Sequence, residues 1–171
     1  MDHARENRGV ILPDPLTNEE ACILSKVSFS YIYIAAREEL ELLTGSYNLR
    51  VDTKGRLAIK SIILIGEDEY FLLVWPPKKG MEESKEGRAL LIFPKRYFYS
   101  LIADVKEMYG EKGNKLILSL LKTAFRSEVD GQGRILIARP LLKAVGIDRE
   151  ELPCSVIVSG CGNHLEVRKA D

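Results

Sequence analysis

The chain has 171 residues and equal numbers of basic and acidic side chains, 25 of each, so its formal net charge at pH 7 is zero. This length suffices for one compact domain or two small ones, and the apolar (46%) and charged (29%) contents exclude a largely disordered chain. No apolar run reaches the ~20 residues that a membrane span requires, and polar residues follow Met1 where a secretory signal would need an apolar segment. We therefore expect a soluble cytoplasmic protein that does not interact with membranes.

The N-terminal residues predict a tail followed by a helix. Residues 1–16 contain many polar residues and two prolines, which predicts a mobile tail. Thr17, with Glu20 three residues later, is typical of a helix N-cap. Apolar residues then recur with a 3.6-residue period, which predicts a helix running in pieces to Leu43. The β-branched and aromatic run at 29–34 fits a strand equally well.

The remaining chain predicts two similar halves joined by helices. In the first half, alternating residues and turns predict strands at 46–51, 57–59, 70–75 and 88–93, with a polar loop at 76–87. Helical periodicity follows at 95–109 and 116–124. In the second half, strands are predicted at 127–130, 135–137, 155–159 and 164–168, with a short helix beginning at Pro140 and a hairpin turn at 160–163. In the first half a short apolar piece at 62–65 stands between the second and third strands, so each half has roughly a β-β-α-β-β pattern.

One motif occurs in both halves. Residues 50–59 read RVDTKGRLAI and residues 128–137 read EVDGQGRILI. Aligning Asp52 with Asp130 matches Val-Asp-x-x-Gly-Arg followed by apolar-x-Ile. The repetition indicates that one structural unit was duplicated.

The motif combines a tight turn with a cation. An aspartate that begins a turn can accept hydrogen bonds from the backbone N–H groups two or three residues later. Gly55 and Gly133 allow backbone conformations closed to other residues, so each arginine leaves its turn at a defined place. The flat guanidinium suits phosphates and guanine edges, which favours nucleic-acid binding. The alternative, in which each arginine only pairs with a carboxylate, remains open.

The duplicated motif resembles the MraZ family of bacterial regulators, which is related to the AbrB-like swapped-hairpin fold. The opening Gly45-Ser-Tyr47 matches the family's Gly-x-Tyr, and residues 129–137, 139–142 and 156–166 follow its strand–turn–helix–hairpin pattern. The resemblance covers about residues 45–168. It implies an α+β fold of two tandem AbrB/MraZ-like β-β-α-β-β repeats that form a swapped-hairpin-type barrel.

The resemblance also implies a function and its residues. MraZ-like proteins form homo-oligomeric rings that bind short tandem boxes of double-stranded DNA upstream of the division and cell-wall gene cluster, usually as repressors. We therefore expect a nucleoid-associated regulator that is not an enzyme and takes no cofactor, metal or small-molecule substrate. The expected DNA contacts, led by the two motif arginines, are Arg56, Arg134, Lys54, Arg50, Gln132 and Lys60. The residues expected to shape the turns are Asp52, Gly55, Asp130 and Gly133.

The domain division follows from the repeats. We predict an N-terminal extension at 1–44, a first repeat at 45–94, linking helices at 95–123 and a second repeat at 124–171. The extension is foreign to the family pattern, either as a mis-set translation start or as an added helix of a divergent lineage. The family's proline after apolar-x-Ile is replaced by Lys60 and Ala138. Because the chain ends at Asp171, we expect the family's usual C-terminal helix to be missing.

Two other classes of protein share features with this sequence. AbrB-like hairpins also serve in antitoxins and structural interaction modules that have no MraZ-type operator. An enzyme would need a nucleophile, for which Cys161 beside His164 is the nearest candidate. Neighbouring residues of a tight turn rarely point together, so this pair is expected to be structural. The cysteines and histidines lack the spacing of a metal site.

Overall fold

The computed structural model describes residues 16–62, 66–75 and 88–170. It is an α+β fold in which an eight-stranded antiparallel sheet forms a nearly closed barrel. The strands are β1 (Ser46–Val51), β2 (Arg56–Ala58), β3 (Glu69–Trp75), β4 (Ala89–Pro94), β5 (Phe125–Glu128), β6 (Arg134–Leu136), β7 (Cys154–Gly160) and β8 (Leu165–Lys169). The helices are α1 (Asn18–Arg37), α2 (Lys95–Tyr109), α3 (Asn114–Thr123) and α4 (Arg139–Ala144), with 3-10 turns at Gly110–Gly113 and Arg149–Glu151.

Helix α1 begins at the predicted N-cap. The Thr17 hydroxyl accepts from the Glu20 N–H at 3.1 Å, and the Glu20 carboxylate accepts from the Thr17 N–H at 2.9 Å. The helix continues through the ambiguous run at 29–34 and ends at Arg37. The strand alternative is therefore wrong, and the helix stops short of Leu43, which forms an isolated β-bridge to Gly162 instead.

The two repeats exchange strands throughout the sheet. The strand order is β5-β3-β4-β8-β7-β1-β2-β6. Four of its neighbouring pairs, β1 with β7, β2 with β6, β3 with β5 and β4 with β8, each join one strand from the first repeat to one from the second. Strands β5 and β6 stand at the two ends of this order, and Ser127 links them. Its hydroxyl donates to the Leu136 carbonyl at 3.0 Å and accepts from the Leu136 N–H at 3.2 Å.

The exchange is organised around a pseudo-two-fold axis. In the β2–β6 pair, Leu57 lies opposite Ile135, its counterpart in the other repeat. Arg56 lies opposite Leu136, and Ala58 lies opposite Arg134. The Ile59 N–H donates to the Gly133 carbonyl in the second turn, and the Ile137 N–H donates to the Gly55 carbonyl in the first turn. A half rotation about the Leu57–Ile135 pair thus exchanges the two motifs.

The core has two parts. Inward side chains of both repeats fill the barrel, among them Val51, Leu57, Ile59, Leu72, Ile92, Ile135, Val156 and Val167, and α4 closes it with Leu141 and Leu142. Outward side chains of β3 and β4 form a second cluster with α1, α2 and α3, including Leu73, Leu91, Phe93, Leu24, Val27, Phe98, Leu101 and Leu120. This helical layer therefore covers β3 and β4, which are separated from β2 and β6 in the strand order.

The two repeats differ between their second and third strands. In the second repeat α4 occupies this connection, as predicted. In the first repeat residues 60–62 form a turn, and residues 63–65 lie outside the described residues. The loop predicted at 76–87 also lies outside them.

Candidate nucleic-acid interface

The two Asp-x-x-Gly-Arg turns have the same internal hydrogen bonds. Asp52 Oδ1 accepts from the N–H groups of Lys54 and Arg56, each at 2.9 Å. Asp130 Oδ1 accepts from those of Gln132 and Arg134 at 2.8 and 3.0 Å. The donors are therefore two and four residues beyond the aspartate, rather than two or three as expected from the sequence. Each carboxylate is held on one oxygen by two backbone groups.

The glycines are required by backbone geometry, as predicted. Gly55 has a φ of +83° and Gly133 a φ of +79°, values that L side chains rarely adopt. A Cβ on Gly55 would lie 2.9 Å from the Ile137 carbonyl oxygen, and a Cβ on Gly133 would lie 2.9 Å from the Lys60 Cβ. Each turn therefore packs tightly against residues of the other repeat.

The second oxygen of each aspartate holds an arginine side chain. Arg56 Nε donates to Asp52 Oδ2 at 2.8 Å, and Arg134 Nε donates to Asp130 Oδ2 at 2.9 Å. The arginine side chains are only 29% and 24% exposed. The carboxylate pairing that the sequence left open is therefore present. Because only Nε is used in these bonds, the Nη end of each guanidinium still carries donors for a further partner.

The hydrogen bonds shift both aspartates toward their charged form. Burial opposes ionisation of Asp52, but the backbone and side-chain hydrogen bonds from Arg56, with that from the Lys54 N–H, outweigh it and lower the pKa below 3.8. The pKa of Asp130 is lowered in the same way, by hydrogen bonds from Arg134 and Gln132 that outweigh burial. Both arginines therefore face ionised carboxylates at neutral pH.

The two arginines lie on one face of the barrel. Leu57 and Ile135 point inward and are fully buried, so the alternating residues Arg56 and Arg134 point outward on adjacent strands. Their Cα atoms are diagonal neighbours, about 7–8 Å apart. Two like charges this close would repel, and the two aspartates beside them offset that repulsion.

The flanks of the two turns differ in charge. Around its motif, the first repeat carries exposed Arg50, Lys54 and Lys60, and their sequence counterparts in the second repeat are Glu128, Gln132 and Ala138. Continuing the β1–β2 register places Arg50 opposite Ala58, which in turn lies opposite Arg134. The small Ala58 side chain therefore separates two cations that lie in one row across three strands.

Lys60 lies beside the second turn although it belongs to the first repeat. Its N–H donates to the Gly133 carbonyl at 3.2 Å, and its side-chain stem covers Gly133. The ammonium lies 3.8 Å from Asp68, and the two side chains are 52% and 89% exposed, so the pair is open to solvent. Lys60 thus supplies a cation beside the turn in which Gln132 replaces a lysine.

Cys161 and His164, the candidate nucleophile pair, have different side-chain partners in the structure. The Cys161 thiol approaches the Ser159 carbonyl at 3.8 Å, whereas His164 Nδ1 is 2.7 Å from the Asn163 amide oxygen. Burial raises the pKa of the Cys161 thiol, which is the reverse of what an activated nucleophile needs. Within residues 16–62, 66–75 and 88–170, no three metal-ligating side chains are grouped to hold an ion, and no helix is long and apolar enough to cross a membrane.

Three proteins named "Transcriptional regulator MraZ" are similar to this chain. The one from Janthinobacterium sp. (strain Marseille) is 30% identical over 128 residues, which span 74% of this chain and 81% of the relative. The one from Thioalkalivibrio sulfidiphilus is 29% identical, with 76% and 81% covered, and the one from Lachnoclostridium phytofermentans is 27% identical, with 64% and 72% covered. No model of a protein family matches the sequence.

The chain belongs to the MraZ family. This confirms the resemblance carried by the duplicated motif, and its relatives are named as transcriptional regulators rather than as enzymes. The MraZ motif does not by itself reveal how its two copies meet. No local sequence signal indicates that the arginines meet across the β2–β6 pair or that Lys60 lies at the opposite turn, because both depend on exchange of strands between repeats.

Proposed function

We propose that this chain is a DNA-binding transcriptional regulator that uses the paired turns of its barrel to bind double-stranded DNA. In detail, we propose a repressor of the bacterial division and cell-wall gene cluster that binds tandem upstream boxes in the nucleoid. Arg56 and Arg134 are its leading contacts, Lys54, Arg50 and Lys60 add phosphate contacts, and Gln132 reaches a base edge. Asp52, Asp130, Gly55 and Gly133 hold the turns.

One observation carries this proposal: two guanidinium groups lie side by side on one outer face, each held through Nε by an aspartate. A guanidinium anchored in this way loses little conformational freedom on binding, and its free end suits a bidentate contact to phosphate or guanine. Both turns can therefore meet one short stretch of duplex. Helices α1, α2 and α3 pack on β3 and β4, and these two strands are separated from β2 and β6 in the strand order.

The local distribution of charge also supports DNA binding, although the net charge of the chain is zero. The arginines and aspartates of the turns cancel each other, so net attraction must come from the flanking cations Arg50, Lys54 and Lys60. A few cations per subunit give modest affinity, and a ring engaging several boxes at once would multiply it through avidity. Binding should then weaken steeply with added salt, because each phosphate contact releases counterions.

The test is a fluorescence anisotropy titration against a duplex carrying the tandem boxes, with a shuffled duplex as reference. We expect Arg56→Ala and Arg134→Ala each to weaken binding to the boxes by about 5- to 150-fold, the equivalent of about 1–3 kcal/mol per arginine contact. Arg37→Ala is the matched control, since Arg37 is an exposed arginine on α1. If both turn variants bind like the wild type, these arginines are not the contacts; if the wild type prefers neither duplex, the regulator does not act on these boxes.

The proposed ring is tested by measuring the mass of the protein in solution. Light scattering coupled to size exclusion at micromolar concentration should give a mass several times the 19.3 kDa of one chain. A persistent monomer would contradict the ring and the avidity argument, and would leave the contact of a single subunit with DNA to be judged by the arginine variants.

A further inference from the structure

The two aspartates of the turns do not have equal sets of partners. Asp52 Oδ2 is 2.8 Å from Arg56 Nε and also 3.9 Å from Nη1 of Arg134, which belongs to the other repeat. Among the described residues, the ion pairs of Asp130 include only Arg134, at 2.9 Å. One carboxylate therefore contacts both arginines, and the other contacts one.

The shared carboxylate is itself firmly placed. Its Oδ1 accepts from two backbone N–H groups at 2.9 Å, which prevents the group from rotating, and its side chain is only 34% exposed. Its Oδ2 is thereby directed at the space between the two guanidinium groups. Salt and water weaken such a pair as a source of stability, but the two backbone hydrogen bonds keep the carboxylate in place to favour one orientation of each guanidinium.

We propose that Asp52 is a positioning residue for both arginines and couples the two turns across the pseudo-two-fold axis, whereas Asp130 positions Arg134 alone. This inference rests on the proposed function only for its consequence in DNA binding; the positioning itself concerns the free protein. It assigns different weights to two aspartates that are equivalent in the duplicated motif.

Asparagine separates positioning from turn formation. Asp52→Asn keeps an Oδ1 that can accept from the Lys54 and Arg56 N–H groups, and asparagine is a favourable turn residue. Its amide nitrogen replaces Oδ2 and cannot accept a hydrogen bond from a guanidinium. Asp130→Asn is the matched control, since it makes the same change at the equivalent position of the other turn.

The direct test is the NMR signal of each arginine Nε–H group in the free protein, assigned with Arg56→Lys and Arg134→Lys. We expect Asp52→Asn to shift or broaden the signals of both arginines, and Asp130→Asn to affect the Arg134 signal alone. The proposal would be overturned if the two variants had equal effects, or if the Arg134 signal were unchanged in Asp52→Asn. If Asp52→Asn fails to fold, Asp52→Ser, which keeps one acceptor for the turn, is measured in its place.

The consequence is tested with the box and shuffled duplexes. We expect Asp52→Asn to reduce the ratio of box to shuffled affinity by about tenfold, since both guanidinium groups lose their orientation, and Asp130→Asn to reduce it less. If the NMR signals respond as expected while both the aspartate and the arginine variants bind like the wild type, the positioning stands and the proposed DNA contacts fail. If the arginine variants weaken binding but the NMR signals do not respond to Asp52→Asn, the contacts stand and the positioning fails.

Discussion

Gln132 occupies in the second turn the position that Lys54 occupies in the first, and both side chains are exposed. Their backbone N–H groups make the same bond to the preceding aspartate, at 2.8 and 2.9 Å. Exchanging the side chains therefore changes charge at the rim of a turn without changing how the turn is held. Because the first repeat also carries Arg50 and Lys60, we predict that it contributes more to DNA affinity than the second repeat does.

The first prediction concerns this exchange. Gln132→Lys should strengthen DNA binding and steepen its salt dependence by about one counterion, and Lys54→Gln should do the opposite. Both variants should keep the thermal stability of the wild type. Titrations at several salt concentrations measure the slope, and a slope that is unchanged in both variants would mean that neither position meets a phosphate.

The second prediction concerns pH. Burial lowers the pKa of His164 from 6.5 to about 4, although nearby Glu166 raises it, and the ring packs on Phe93 with 4.9 Å between centroids. Because the folded protein disfavours the protonated ring, the stability that His164 contributes is complete above pH 6.5 and is lost as the pH falls toward 4.

Thermal unfolding of wild type and His164→Phe at pH values from 8 to 4 tests this prediction. Loss of the hydrogen bond to Asn163 lowers the variant's stability by the same amount at each pH. We therefore expect the difference between the two proteins to narrow below pH 6.5 as the wild type weakens. A difference that stays constant down to pH 4 would show that His164 does not titrate with unfolding.

At the scale of residues, the motif and the local geometry of its turns were predictable from the sequence, whereas the contact between the two turns was not. An aspartate before a glycine and an arginine predicted a capped turn with a positive-φ residue, because those properties depend on neighbours in the chain. The contact of Asp52 with Arg134 joins residues of different repeats, and no local pattern encodes it.

At the scale of elements, the helical spacing of buried residues in α1 outweighs the strand preference of residues 29–34. Its β-branched and aromatic residues at 29–34 favour a strand, yet Leu24 and Val27 at helical spacing are buried against α2 and α3. Burial of such a face stabilises a helix more than intrinsic preference opposes it. The Glu20 carboxylate also accepts from the Ser119 hydroxyl at 2.8 Å, which ties the start of α1 to α3.

The third prediction distinguishes the two faces of α1. Leu24→Ala should lower the free energy of unfolding by about 2–5 kcal/mol, because it leaves a cavity in the cluster beneath the helix. Phe29→Ala removes a larger side chain but should cost less than about 0.5 kcal/mol, since Phe29 is 72% exposed. Urea denaturation of both variants gives the comparison, and equal losses would show that α1 does not pack as described.

At the scale of the whole molecule, each repeat completes the sheet of the other. Strands β1, β2, β3 and β4 of the first repeat pair with β7, β6, β5 and β8 of the second. We therefore expect that the repeats predicted at 45–94 and 124–171 do not fold independently of each other. Strands without their partners would expose backbone donors and acceptors and half of the barrel core.

The fourth prediction follows from this exchange. Residues 1–94 and 95–171 produced separately should each lack cooperative thermal unfolding, and mixing them should restore the dispersed NMR spectrum of the intact chain. The intact chain at the same concentration is the control. Cooperative unfolding of either piece alone would contradict the mutual dependence of the repeats.

The sequence by itself determined the local features: the two turns, the positive-φ glycines, the N-cap of α1, the alternation of most strands and membership of the MraZ family. Each of these depends on residues close together in the chain, or on a motif conserved in spacing between the two copies. Only the tertiary structure decided that a half rotation about the Leu57–Ile135 pair relates the two motifs. It also decided that Asp52 contacts both arginines and that Lys60 lies at the opposite turn. Strand exchange sets these contacts, and exchange is a choice of distant partners that the sequence of neither repeat specifies alone.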